Sequence, residues 1–354
     1  MSTTPAFHSR SDALRGLRER ARQAPNAPGV YRFLGPRGEV LYVGKSVGLR
    51  RRLLSYFRPA VGSKERELVR VAACLEWDEL PNELEALLRE YRLIRTLQPR
   101  FNRRHRTHRR YAWIRITPGA GPRLRATRVP VADGSRYFGP FPAPSGLPEL
   151  LKELERTVGL DAVFPGTSPV FSGQLDLLEP KEPEHGPGED EARHRVAAVI
   201  RFLEARGDEP LAEVRRRIAD ATASRHFELA ARLRDRQERL AGLREDVVAY
   251  REILGRLSCV YLPPAADRNA GRGYLLSGGR IALSFPWADG EDASTLPPEL
   301  RTRIEKLASR PVPPPDALTV TEREETFVVA RWFRANPGEW DHTLSVDRFV
   351  ALGG

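Results

Sequence analysis

Two short segments near the N-terminus constrain this chain more than any other feature. Gly29-Val30-Tyr31-Arg32-Phe33-Leu34 is rich in β-branched and aromatic residues, and Val40-Leu41-Tyr42-Val43 repeats that character after the turn sequence Gly35-Pro36-Arg37-Gly38. Two such runs around a Gly/Pro turn predict a β-hairpin. Tyr31 and Tyr42 then stand on neighbouring strands, where aromatic pairs ordinarily serve as packing.

Elements around the hairpin follow from periodicity. Residues 8–24 predict a helix ended by Pro25 and Pro28. Residues 47–57 predict another, with Leu49, Leu53, Tyr56 and Phe57 on one side. Residues 82–97 predict a third, carrying Leu84, Leu87, Leu88, Tyr91 and Ile94 and stopped by Pro99. Strands are expected at 111–116 and 123–127, and Tyr137-Phe138-Gly139-Pro140-Phe141 as a turn into a helix at 147–158. The Pro-, Gly-, Ser- and acid-rich stretch 161–190 reads as a linker. Residues 191–255 return to helical patterning. A hairpin joins 274–276 to 281–283, before helices at 297–309 and 321–335. The expected class is α+β: a small domain with a central antiparallel sheet flanked by helices, a helical hairpin region, and a small α+β C-terminal region.

Charge narrows the partners. Residues 1–110 hold 24 Lys/Arg against 11 Asp/Glu, while the remainder holds 34 against 36, so the net charge of +11 resides in one domain. A concentrated positive field favours a polyanion, with binding that weakens steeply in salt. The apolar runs are too short to span a bilayer, and residues 1–20 lack the apolar core of a secretory signal, so a cytoplasmic protein is expected. Cys74 and Cys259 are the only cysteines, and no Cys-x-x-Cys pair exists. An iron–sulfur cluster or thiolate zinc site is therefore not expected.

Several residues invite chemistry. Glu90 lies beside the buried face of its helix, three residues after Leu87 and four before Ile94. An inward carboxylate needs a cation or several donors: an arginine in a structural pair, or a hard divalent ion such as Mg²⁺ or Mn²⁺. Arg52, between Leu49 and Tyr56, presents an inward guanidinium to a phosphate or to Glu90 itself. Lys45 follows a strand and a glycine, and by itself reads as a surface lysine. The phenols of Tyr31 and Tyr42 become useful in proton transfer if nearby cations lower their pKa. Asn102, after Pro99, either caps a turn or holds a tyrosine or substrate. His105 and His108 sit among Arg103, Arg104, Arg106, Arg109 and Arg110, which favours phosphate contact over a metal ion.

The ordered set resembles the GIY-YIG nuclease superfamily, in the form found in the bacterial excision-repair nuclease UvrC. Gly29-Val30-Tyr31 and Tyr42-Val43-Gly44 match its two triplets, with Val43 in place of the name-giving Ile. Gly44-Lys45-Ser46, the arginine helix Leu49–Phe57, Asn82–Glu90 and Pro99-Arg100-Phe101-Asn102 continue the match. The resemblance implies that Glu90 binds one divalent ion and that Tyr42 helps activate the attacking water. It implies that Lys45 and Arg52 stabilise phosphate charge and that Tyr31 and Asn102 position the site. Arg50, Arg51 and the arginines of 103–110 are expected to contact DNA.

A second segment, Ser224–Asp235, is similar to the UVR motif through which UvrC and UvrB associate. Phe227, Ala230, Ala231 and Arg234 are the residues expected to meet UvrB. The implied organisation is an N-terminal helix (1–24), a GIY-YIG domain (25–106), a UvrC-like extension (107–160), a linker (161–190), a helical region (191–255) with its hairpin at 209–243, and a C-terminal region (256–354).

Two features depart from full-length UvrC. The family's cysteine cluster has no counterpart here, and the C-terminal region is too short for its second nuclease domain with the helix–hairpin–helix pair. The expectation is therefore one nick on the 3′ side of a lesion, as in the shorter homologue Cho. Alternatives are a nuclease of branched DNA independent of UvrA and UvrB, and a non-catalytic adaptor binding DNA and UvrB.

Overall fold

The computed structural model describes residues 10–58, 62–102, 111–119, 121–160, 189–264, 271–287 and 296–351. The first two stretches contain α1 (Arg10–Gln23), β1 (Gly29–Leu34), β2 (Val40–Ser46), α2 (Leu49–Ser55), α3 (Ser63–Val71), β3 (Cys74–Glu79) and α4 (Glu83–Leu97). The expected hairpin is present, and β2 extends through Lys45 and Ser46. It forms a three-stranded antiparallel sheet in the order β2-β1-β3, with β2 at an edge.

Strand β3 is not legible in the sequence, because Cys74-Leu75-Glu76-Trp77-Asp78-Glu79 is acidic and such residues are depleted from strands. Arg32 on β1 resolves the conflict. It pairs with Glu76 at 3.5 Å and holds Asp78 in a fork at 3.1 and 3.0 Å. Helix α3, just before it, is likewise absent from the elements expected above.

The sheet has two apolar faces. Tyr31 and Phe33 pack with Leu17 and Ala21 of α1 and with Leu49 and Leu53 of α2. Val30 and Val43 pack on Ala86 and Ile94 of α4. Each buried aliphatic side chain contributes about 1.5–3 kcal/mol. Helix α4 starts where Asn82 Oδ1 accepts from the Glu85 amide at 3.0 Å, with Glu83 and Glu85 in the first turn and Arg95 in the last.

Further along come β4 (Tyr111–Ile116), β5 (Leu124–Thr127), β6 (Arg136–Pro142), α5 (Leu147–Thr157), α6 (Glu189–Leu203), α7 (Glu209–Ala223) and α8 (Phe227–Arg256). The stretch read as a turn at 137–141 is instead strand β6, which joins a sheet in the order β5-β4-β6. Its Gly139-Pro140 falls where the register shifts between Ala112 and Ile114, so the proline interrupts no regular ladder. Helix α8 runs past residue 243 to Arg256. The turn before it has Arg225 at φ 59°, and the His226 amide donates to Ala221 O at 2.8 Å. The expected linker lies outside the described residues up to 188.

The C-terminal region holds β7 (Val260–Tyr261), β8 (Arg272–Ser277), β9 (Arg280–Pro286), α9 (Pro298–Ala308), α10 (Val320–Ala335), β10 (Thr343–Leu344) and α11 (Val346–Ala351). Its sheet runs β10-β7-β8-β9 over a core of Val260, Leu275, Phe285, Ile304 and Phe349. The protein is a mixed α+β fold of two compact units. One comprises Met1–Arg109, Arg256–Val312 and Glu324–Gly354, and the other comprises Arg110–Gly255 and Pro313–Arg323. Most of the C-terminal region thus shares a unit with the first domain. Asn82 Nδ2 donates to Tyr274 Oη at 2.8 Å, and Arg92 meets Glu325 at 2.6 and 2.9 Å. Among the described residues, no helix is long and apolar enough to cross a membrane.

Candidate active site

The edge strand β2 organises the site. Its outward backbone groups have no neighbouring strand, and two side chains stand in for one. Asn102 Oδ1 accepts from the Val43 amide at 2.9 Å, while its Nδ2 donates to Val43 O at 2.8 Å. Two residues along, Glu90 Oε1 accepts from the Lys45 amide at 3.1 Å. Asn102 is fully buried and reaches neither tyrosine. Its role is to hold β2 at the point between Tyr42 and Gly44.

On the other face of the sheet, Tyr31 and Tyr56 share a hydrogen bond of 2.8 Å between their hydroxyls. Arg52 Nε donates to Tyr31 at 3.1 Å, and a terminal nitrogen donates to Tyr56 at 3.3 Å. The guanidinium also lies 4.9 Å from the Tyr56 ring centre. Arg52 therefore points its guanidinium inward, as its helix position implied, but onto the two phenols and not onto Glu90. It stays exposed and turns its guanidinium back onto two phenols, which fixes one side of the fork and leaves the rest to solvent. The Tyr42 ring lies 6.1 Å from that of Tyr31, with Lys64 Nζ 5.5 Å from its centre.

Gly44 is what lets these groups meet. A Cβ there would stand 2.5 Å from Tyr31 Oη and 2.9 Å from Tyr42 Cε1. Gly44→Ala is accordingly expected to displace the Tyr31 hydroxyl from Arg52 and to cost about 1–3 kcal/mol, measured as a lower urea midpoint. An unchanged midpoint would show that the phenols move aside freely.

Protonation follows burial. Glu90 is only 9% exposed, and burial pushes its carboxyl up to about 7, against the opposing fields of Lys45 and Arg52 and the Lys45 amide. The arginine partner that the sequence left open is not there: among the described residues its one hydrogen bond is from a backbone amide. The Lys45 ammonium goes instead to Glu83, at 2.6 Å. Burial also raises the Tyr31 phenol, helped by Tyr42 and outweighing Arg52. This reverses the expectation that cations would depress it. Tyr31 stays protonated and serves as a hydrogen-bonding residue.

A buried carboxylate without a side-chain cation suits a hard divalent ion, which takes oxygen ligands and retains waters. The described residues hold no group of three His, Cys, Asp or Glu side chains that would cage a metal fully. Glu90 is the buried carboxylate at the β2 edge that could hold such an ion.

The remaining expectations divide. Arg50 and Arg51 are exposed on α2, though Arg50 Nε donates to Ala24 O at 2.7 Å. Arg103, Arg104, His105, Arg106, His108, Arg109 and Arg110 lie outside the described residues. On α8, Phe227 is 65% exposed and Ala231 and Arg234 face solvent, but Ala230 is fully buried and unavailable to a partner. Its helix turns that position inward with Leu233. Sequence reasoning missed Tyr56 as a site residue. The available signal was its place four residues after Arg52, on the same helical face.

Residues 27–103 match the family model described as the UvrC-like GIY-YIG domain. UvrABC system protein C of Desulforudis audaxviator is 33% identical over 331 residues, covering 89% of this chain and 52% of that protein. The protein of the same description from Moorella thermoacetica is 31% identical over 336 residues, covering 89% and 53%. The chain spans about half the length of these relatives. Among solved structures, the GIY-YIG N-terminal endonuclease domain of UvrC from Thermotoga maritima, bound to its catalytic divalent cation, magnesium, is 36% identical. That match covers 25% of this chain and 96% of the other, with a TM-score of 0.24. Residues 27–103 are thus a UvrC-like GIY-YIG domain.

Proposed function

We propose that this protein is a metal-dependent DNA endonuclease of nucleotide excision repair, hydrolysing one phosphodiester on the 3′ side of a lesion in concert with UvrB. The observation that carries the reading is Glu90. It is a buried carboxylate on the β2 edge, kept without a side-chain cation, within reach of the fields of Lys45 and Arg52.

The residues divide the work. Glu90 would hold one Mg²⁺ or Mn²⁺, which supplies Lewis-acid polarisation of the scissile phosphate when bound. Arg52, oriented by Tyr31 and Tyr56, presents its free edge to a phosphate oxygen as a preorganised donor. Lys45 adds a point charge from the β2 side. Tyr42 is the half-buried phenol of the pair and the residue assigned to take the proton from the attacking water, since Tyr31 is held protonated. Asn102 positions β2 beneath them. Arg50, Arg51 and the arginines between 103 and 110 supply salt-sensitive phosphate contacts. Phe227, Ala231 and Arg234 on α8 offer the contact for UvrB.

The test is incision of an end-labelled, lesion-bearing duplex with Mg²⁺, with and without UvrA and UvrB, beside Glu90→Ala. A 3′ nick that needs both partners and is lost in the variant is expected. Cleavage of flaps or junctions without partners would replace excision repair with a branched-DNA activity. No cleavage with retained UvrB binding would leave a non-catalytic adaptor.

A further inference from the structure

Helix α4 and its cap present two stripes. Ala86, Glu90 and Ile94, four residues apart, face the sheet, whereas Asn82, Glu85, Arg92 and Arg95, spaced by three, seven and three residues, meet the C-terminal region. The second stripe is bolted down by Tyr274 on β8 and by Glu324 and Glu325 on α10. Arg95 meets Glu324 at 3.1 Å, and Tyr91 donates to the same carboxylate. The Glu324 and Glu325 side chains are only 12% and 18% exposed, so solvent screens these pairs less than ordinary surface ones.

Seven residues beyond Glu325, two turns along the same face of α10, stands the buried Trp332. Its ring centre lies 5.9 Å from Lys45 Nζ. Glu83 Oε1 approaches the same ammonium at 2.6 Å. The charge of Lys45 is therefore flanked by a carboxylate from α4 and an indole from α10. A lysine on its four-carbon stem occupies many rotamers unless something restrains it.

We propose that Trp332 is a positioning residue: the C-terminal region clamps α4 and, through Trp332 together with Glu83, holds the Lys45 ammonium at the mouth of the candidate active site. The use of Lys45 there rests on the endonuclease reading; the restraint itself does not. This gives the C-terminal region a part in the nuclease unit, and Lys45 a reason to be ordered before DNA arrives.

The chain contains only five lysines, Lys45, Lys64, Lys152, Lys181 and Lys306, so acylation under limiting reagent can be quantified at each one by mass spectrometry. In the full chain, Trp332→Leu is expected to raise the reactivity of Lys45 about threefold or more, the scale of a lost partly desolvated cation–π contact. Lys64 and Lys306 should stay constant. Trp332→Phe, which keeps an aromatic face, should restore most of the protection, and Glu83→Gln should raise Lys45 alone. An unchanged Lys45 in a folded Trp332→Leu protein overturns the proposal. Should that variant loosen the whole fold and raise every lysine, Arg92→Ala decides, because it opens the clamp at a half-exposed position. A rise confined to Lys45 then supports the clamp, and an unchanged Lys45 overturns it.

Incision adds a second arm. Trp332→Leu should lower kcat about tenfold at unchanged KM, and should cost nothing further in a Lys45→Ala background. Equal losses in both backgrounds would mean that Trp332 does not act through Lys45. If the wild-type chain nicks no DNA, the endonuclease reading falls while the acylation result still decides the restraint.

Discussion

Glu90→Gln is expected to abolish incision and, at the same time, to make the metal-free protein more stable at pH 8. The two effects share one cause. Burial lifts the Glu90 carboxyl from its ordinary value to about 7, so the folded chain binds that proton more tightly than the unfolded chain does. The sign is therefore opposite to that of a salt-bridged carboxylate. The group costs nothing below the unfolded pKa near 4.5, destabilises progressively as pH rises toward 7, and exerts its full penalty above that. The shift corresponds to about 3 kcal/mol at roughly 1.4 kcal/mol per unit.

Glutamine keeps an oxygen for the Lys45 amide and has no charge to desolvate. Urea denaturation at pH 5 and pH 8, without divalent metal, should show a gap between variant and wild type that opens with pH. A gap that is constant or closes would mean that Glu90 is not strained by ionisation. Mg²⁺ or Mn²⁺ at about a hundred times its Kd should return about 2.7 kcal/mol to the wild type and nothing to the variant. Incision should fall by at least about a thousandfold, because the carboxylate that would hold the ion is gone. A variant that still cuts would move the metal elsewhere.

Asn102→Ala carries the second large effect, on stability first. Both amide atoms of this fully buried side chain are used by the Val43 backbone. Truncation leaves one buried N–H and one buried C=O on an edge strand without partners, at about 1–3 kcal/mol each. A loss of about 3 kcal/mol in unfolding free energy is expected, seen as a lower urea midpoint. Asn102→Asp should not rescue it. Its carboxylate can accept from the Val43 amide but sets an acceptor against the Val43 carbonyl. A near-neutral Asn102→Ala would show that water or a neighbouring segment caps β2 equally well. Because β2 carries both Tyr42 and Lys45, incision should fall along with stability.

How much of this was readable in one dimension differs element by element. The β1/β2 hairpin could be read because its signals are local: β-branched and aromatic runs around a Gly/Pro turn. Helix α4 could be read from its apolar period and its Pro99 stop, and so could the inward turn of Glu90. Strand β3 could not, since its acidic residues suit a strand only once Arg32 lies across from them. Strand β6 could not, since the Gly139-Pro140 interruption looks like a turn until the opposite strand supplies a bulge to receive it.

The same division runs through the candidate site. Residue types and their order are written in the chain: two phenols, two cations, a carboxylate and an amide, placed by a hairpin and two helices. Tertiary structure decided what each one touches. It made Asn102 and Glu90 substitutes for a missing strand, set the Arg52 guanidinium on the hydroxyls of Tyr31 and Tyr56, and brought Trp332 beside Lys45 from nearly three hundred residues away. It also set the protonation of Glu90 and Tyr31, because burial in three dimensions, and not the residue type, is the dominant cause of both shifts. Local propensity acts over a few residues and leaves a trace in the sequence. Desolvation and long-range pairing depend on what the rest of the chain places nearby, and exist only once it has folded.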